Sequence, residues 1–200
     1  MEGYLNEDDV LGSARARGIE LGCAPIGAAG GSALRLLTTV LHAKAVVEIG
    51  TGAGVSGLYL LRGMAPDGVL TSIDVDPEHQ TAARRAFTTA KIPSTRTRLI
   101  MGGALDVLPK LADESYDLLF VDALKVEYPA YHEQGVRLLR RGGVIAFDNA
   151  LWSGRVADPA YQDADTAALR DVTRAVRDDD RLVPVLLPVG DGLLVAARSR

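Results

Sequence analysis

The chain has 200 residues, 48% of them hydrophobic and 24% charged, with a formal net charge of −4 and a single cysteine, Cys23. That size and composition suit one α/β domain with a substantial core, and the acidic balance argues against nonspecific electrostatic binding to DNA. One cysteine excludes an intrachain disulfide framework and a cysteine-rich zinc site, so Cys23 reads as a small buried hydrophobe. With no basic-then-apolar leader and no apolar run long enough to span a bilayer, a cytoplasmic protein with no membrane partner is expected.

Residues 7–21 read as a helix, and Leu34, Leu37 and Leu41 recur at helical spacing within residues 32–41, with the glycine-rich stretch 27–31 read as the turn between them. From Ala45 onward the pattern becomes apolar runs alternating with helical stretches. Strands are predicted over 45–49, 69–73, 98–101, 117–121 and 144–147, and helices over 55–64, 77–90, 105–111 and 129–139. Repeated βα units of this kind build a parallel sheet with helices on both faces. A loop containing Trp152 leads to a helix over 163–177. The end differs: two strands, 182–187 and 193–197, are joined by so short a turn that they must be antiparallel. The expected architecture is a single domain, doubly wound, with a seven-stranded and mostly parallel sheet closed by an antiparallel hairpin.

The segment from Val46 to Gly57 runs from a buried strand through Gly50, Gly52 and Gly54 into a helix. Glycines there remove Cβ atoms, so a cofactor can approach the backbone at a helix N-terminus. The spacing also satisfies the dinucleotide fingerprint, so the loop alone does not name the cofactor. Asp74 ends the next strand, where an acid would hydrogen-bond a ribose hydroxyl of an adenosine-containing cofactor. The plainer reading of Asp74 is a helix cap.

Two later strands also end in oxygen-bearing side chains: Asp122 with Lys125 close behind, then Asp148-Asn149. Three hard oxygen ligands and one amine at neighbouring strand ends suit a divalent cation with a base beside it. Taken singly, Asp122 would more often cap a helix and Asp148-Asn149 would more often form a turn. His42, His79 and His132 stand apart without a metal-like spacing, and each reads as a surface or internally satisfied histidine.

Glu48-Ile49-Gly50-Thr51-Gly52-Ala53-Gly54-Val55-Ser56 resembles the first motif of class I S-adenosylmethionine-dependent methyltransferases. Val121-Asp122-Ala123-Leu124-Lys125, followed by Tyr128, and Asp148-Asn149-Ala150-Leu151-Trp152-Ser153-Gly154 are similar to the metal-dependent O-methyltransferases of the catechol and caffeoyl-coenzyme A type. The likeness extends to Gly103-Ala104 and to the final turn around Gly190-Asp191-Gly192, and so covers nearly the whole chain.

The resemblance implies a Rossmann-like core over 44–200 behind an N-terminal helical segment, 1–43, within one methyltransferase domain, 1–200. It implies S-adenosylmethionine contacts at Ile26, Glu48, Gly50, Ser56, Asp74, Ala104 and Asp122. It also implies a cation, usually Mg²⁺ with Mn²⁺ or Ca²⁺ as alternatives, on Asp122, Asp148 and Asn149, and Lys125 as proton acceptor for the attacking hydroxyl. The expected substrate is a small dihydroxylated aromatic, for which Trp152 and Tyr128 are candidate pocket walls, and a homodimer is the family's common state. Leu124 departs from the D-A-D-K of many relatives and removes a carboxylate from the rim of the site.

Three other readings remain open at this level. A hydroxylated uridine in tRNA would use the same chemistry, and would be favoured if Arg84, Arg85, Arg96, Arg98, Arg140, Arg141 and Arg155 converged beside the cleft. An NAD(P)-dependent oxidoreductase is allowed by the glycines but leaves Asp148-Asn149 without a role. A noncatalytic cofactor-binding scaffold would be marked by loss of the metal ligands.

Overall fold

The computed structural model describes residues 6–199. The predicted 1–200 span therefore includes residues 1–5 and 200, which lie outside the described residues.

Seven strands form one sheet in the order β3-β2-β1-β4-β5-β7-β6. Their ranges are β1 Ala45–Ile49, β2 Val69–Asp74, β3 Thr97–Met101, β4 Tyr116–Val121, β5 Leu139–Phe147, β6 Leu182–Leu187 and β7 Leu193–Arg198. The pairs β1–β2, β1–β4, β2–β3 and β4–β5 are parallel. Strand β7 runs antiparallel between β5 and β6, so the hairpin closes the sheet as expected.

Alternation along each strand divides the interior in two, because successive side chains point to opposite faces. Val46, Leu118, Phe120, Ala146 and Val195 pack toward α1 (Asp9–Glu20), α2 (Ala28–Val40), α3 (Val55–Gly63) and α4 (Pro77–Thr89). Their neighbours Val47, Leu119, Val121, Phe147 and Ala196 pack toward α5 (Ala104–Val107), α6 (Tyr128–Leu138) and α7 (Ala164–Asp178). The central strands are apolar on both sides for this reason, which is the pattern that made them legible.

Four segments differ from expectation, the simplest being β5, which starts at Leu139 and not at residue 144. The glycines of 27–31 are not a turn: α2 begins at Ala28, and Gly30 and Gly31 lie inside it. A Cβ on Gly31 would stand 2.3 Å from the Tyr59 ring, so the residue is glycine to let α2 and α3 pack closely. The helix expected over 105–111 stops at Val107 and gives way to a 3-10 turn, Leu108–Lys110, because Pro109 lacks the N–H that an α-helix needs. The Trp152 loop is a 3-10 segment, Trp152–Ala157, with Ser153 and Gly154 in left-handed conformation. Among the described residues no helix is long and apolar enough to cross a membrane.

Candidate active site

The strand order reverses direction between β1 and β4, and at such a switch point the loops leaving the carboxyl ends of the strands diverge and leave a crevice. Here a cleft of about 650 Å³ opens there. It is walled by the β1–α3 glycine loop, Asp74, Ala104, Asp122, Lys125, Asn149 and Trp152, with Cys23–Ile26 closing one side.

The glycine loop is shaped by contacts that forbid side chains. Gly50 has φ +96°, and a Cβ there would fall 2.0 Å from the Asp122 carbonyl oxygen, so β1 and β4 can end side by side only if this residue is glycine. Gly54, at φ +89°, is the N-cap of α3 and abuts Ala83 of α4. Asp74 ties the loop down: its Oδ2 accepts the Gly52 N–H at 2.9 Å, and its Oδ1 accepts the Asp76 N–H at 2.9 Å. The cap of α4 is Asp76, whose carboxylate accepts from Glu78 N, so Asp74 is left free of the capping role.

Glu48 does not reach the cleft. It is fully buried beneath the loop, where Ser56 Oγ donates to one of its oxygens at 2.6 Å and Ser72 Oγ to the other at 2.5 Å. Burial pushes its carboxyl up to about 7. Ser56, Ala104 and Ile26 do line the cleft. The Ile26 carbonyl is already engaged, since Arg15 Nη2 donates to it at 2.8 Å.

At the ends of β4 and β5 the chemistry differs. Lys125 is buried, and its Nζ donates to Asp122 Oδ1 at 3.1 Å and to Tyr128 Oη at 2.7 Å. Tyr128 Oη in turn donates to the Asp148 carbonyl at 3.3 Å, so one hydrogen-bonded chain spans both strand ends. Asp122 caps no helix; the turn that follows has Leu124 at its N-cap and no side-chain cap bond. Asp148 is 6% exposed and sits just beneath the cleft lining, with its carboxyl pushed up by burial and by the Asp122 charge. Asn149 enters the cleft from a left-handed backbone, φ +59°. The structure thus brings Asp122, Lys125 and Asn149 together on the cleft wall and leaves Asp148, buried next to Asn149 in the chain, out of the lining.

The loop after Asn149 is held from the hairpin turn. Ala150 and Leu151 donate to the carbonyls of Gly192 and Asp191 at 2.9 Å each, and Ser153 N–H donates to Asp191 Oδ1 at 2.6 Å. Trp152, also left-handed at φ +49°, faces Lys125, whose Nζ is 5.8 Å from its ring. Its indole N–H is buried without a partner among the described residues.

Sequence reasoning gave Cys23, His79 and Asp191 no part in the site, although His79 is, as expected, internally satisfied. Cys23 is half-buried, and its sulfur meets His79 Nε2 at 3.2 Å instead of packing as a hydrophobe. Its partner lies 56 residues away, and no local spacing signals that contact. Two arginines proposed for an RNA face are committed elsewhere: Arg96 holds the carbonyls of Leu61, Ala65 and Gly68, and Arg140 bonds Asp117 beside the start of β1. Both lie toward the amino ends of the strands, opposite the cleft.

Fold and cleft together define a doubly wound α/β protein with its site at the switch point. The chain belongs to the O-methyltransferase family, which matches residues 13–199. It is 53% identical over 198 residues to a Mycobacterium sp. (strain KMS) protein named "Putative O-methyltransferase", covering 99% of this chain and 90% of that one. Among solved structures it is similar to the O-methyltransferase TomG of Streptomyces achromogenes, involved in tomaymycin synthesis and solved with SAM (TM-score 0.90, 28% identity, 99% and 93% covered). It is also similar to an O-methyltransferase of Bacillus cereus solved with SAH (TM-score 0.89, 26% identity, 99% and 94% covered).

Proposed function

We propose that this O-methyltransferase moves the methyl group of S-adenosylmethionine to one hydroxyl of a small dihydroxylated aromatic, using a divalent cation on Asp122, Asp148 and Asn149 and Lys125 as base. The observation that carries this reading is the buried Lys125 amine, held at 3.1 Å from Asp122 on the cleft wall, with Asn149 beside it. The ligand-bound neighbours support the cofactor.

Among the described residues no three His, Cys, Asp or Glu side chains group as a metal site. The proposed donor set is of another composition, two carboxylates and one amide. It fits a hard cation: Asp148 is buried against the Asp122 charge, and an oxygen-only set with unneutralised charge is what Mg²⁺ prefers. When bound, such a cation would acidify a substrate hydroxyl and fix its orientation.

The protein's own groups do the rest. The glycine loop and Asp74 seat the cofactor, and the Trp152 ring offers a face on which a flat acceptor stacks. Lys125 Nζ, in its neutral form, takes the hydroxyl proton while the oxygen attacks the sulfonium methyl. The methyl–sulfur bond breaks with its electron pair remaining on sulfur, leaving a methyl ether, an ammonium on Lys125 and S-adenosylhomocysteine. The Tyr128 hydroxyl, pushed far up by burial, stays protonated and holds Lys125 in place. Homodimerisation belongs to the same reading, and static light scattering tests it.

The test is transfer of labelled methyl from S-adenosylmethionine to a pool of dihydroxylated aromatics and, in parallel, to undermodified tRNA, each with Mg²⁺ or EDTA. EDTA-sensitive label in the organic extract is expected. Label confined to RNA, or label indifferent to EDTA, would overturn the acceptor or the metal assignment respectively.

A further inference from the structure

Three side chains from separate segments meet on the cofactor side of the cleft: Cys23 after α1, Asp74 at the end of β2 and His79 in the first turns of α4. His79 Nδ1 lies 3.3 Å from both Asp74 oxygens, and His79 Nε2 lies 3.2 Å from Cys23 Sγ. All three line the cleft. The other carboxylate facing His79, Asp76, has its Oδ2 3.8 Å from Nε2, beyond hydrogen-bond range.

With the ring neutral, the donors and acceptors admit one arrangement. Asp74 as a carboxylate only accepts, so Nδ1 carries the imidazole proton and donates it. Nε2 of the neutral ring is then an acceptor, and the Cys23 S–H is the donor that reaches it. Burial and the Asp74 charge push the thiol up, which keeps that proton on sulfur. Each Asp74 oxygen also takes one backbone N–H, from Gly52 or Asp76. The carboxylate is therefore held from three directions, and its remaining accepting capacity faces the cleft.

We propose that His79, held between Asp74 at Nδ1 and the Cys23 thiol at Nε2, is a positioning residue that fixes Asp74 for recognition of a vicinal diol, the ribose of the cofactor. The chain Cys23–His79–Asp74 makes selectivity for an unmodified ribose depend on two side chains besides the carboxylate itself. A carboxylate so oriented accepts from two neighbouring hydroxyls and repels a phosphate at either of them. This inference rests on the cofactor reading given above.

The test is a thermodynamic cycle, titrating S-adenosylhomocysteine and its 2′,3′-dideoxy analogue calorimetrically into the full-length protein. His79→Ala is expected to weaken S-adenosylhomocysteine about tenfold and to leave the dideoxy analogue within about twofold, so the two ligands converge. His79→Asn, whose amide nitrogen replaces Nδ1, should restore most of the discrimination. Cys23→Ala should cost a smaller factor, about threefold, with Cys23→Ser restoring it, and ¹⁵N shifts of the His79 ring should report the Nδ1–H form in the wild type and a mixture in Cys23→Ala. In turnover, the KM for S-adenosylmethionine rises in His79→Ala while kcat at saturation holds. Equal weakening of both ligands, or weakening of neither, would overturn the proposal and leave the cofactor assignment standing. A wild-type protein that binds no S-adenosylhomocysteine would overturn both.

Discussion

The two halves of the cleft solve opposite electrostatic problems. On the β1–β2 side the one carboxylate that faces the cleft, Asp74, is surrounded by donors: Gly52 N–H, Asp76 N–H and His79. On the β4–β5 side the Asp148 carboxyl is pushed up by burial and by the Asp122 charge, and Lys125 Nζ bonds Asp122. The backbone follows the same division. The first half uses positive φ only at glycines, whereas the second puts Asn149, Trp152 and Ser153 in left-handed conformations at a cost of order 1 kcal/mol each. One side presents a carboxylate already supplied with donors, and the other is built around a deficit of positive charge.

The sharpest way to break this comparison is Asp148→Ala. On the order of a 100-fold or greater loss of Mg²⁺-dependent methyl transfer is expected, with S-adenosylhomocysteine affinity within about twofold of wild type by calorimetry. Parallel loss of both would mean that the halves are not independent. Lys125→Ala should lower kcat about 100-fold while the KM for S-adenosylmethionine changes little, and steady-state kinetics at saturating acceptor decide it. Unchanged kcat would remove Lys125 from the chemistry.

A third variant probes the cofactor half from below. Glu48 has a folded-state pKa of about 7 against an ordinary 4.5. Between those values the folded protein holds a proton that the unfolded chain releases, so this stabilisation is complete below pH 4.5 and is lost as pH rises through 7. Glu48→Gln keeps the shape and removes the titration. Urea denaturation should show the variant gaining about 2 kcal/mol on wild type between pH 5 and pH 8. A pH-independent difference would mean that Ser56 and Ser72 hold Glu48 ionised throughout.

The smallest expected effect comes from Asp191→Ala, which unties Ser153 from the hairpin turn. The cost in stability is about 1 kcal/mol. Turnover should fall several-fold through acceptor KM, with cofactor affinity unchanged, which would assign the 149–154 loop to the acceptor half alone.

Much of this was legible in the chain itself. Apolar runs ending in Asp74, Asp122 and Asp148 announced parallel strands that deliver polar groups to one sheet edge, since a strand buried on both faces shows polar residues only where it emerges. The glycine loop was legible for a related reason, because a backbone that must turn sharply beside β4 excludes side chains. What misled was local: Gly30 and Gly31 carry a turn's composition but serve helix packing, a fact set by Tyr59 at the other end of a long-range contact.

The sequence by itself therefore determined the doubly wound fold and the groups that gather at its carboxyl edge, because both follow from short-range periodicity and from where each apolar run stops. Only the tertiary structure decided which of those groups face the cleft. Glu48 went beneath the loop and Asp148 behind the wall, while His79 and Cys23 turned from bystanders into supports for Asp74. Those outcomes depend on distances between segments far apart in the chain, and chain spacing carries no record of such distances.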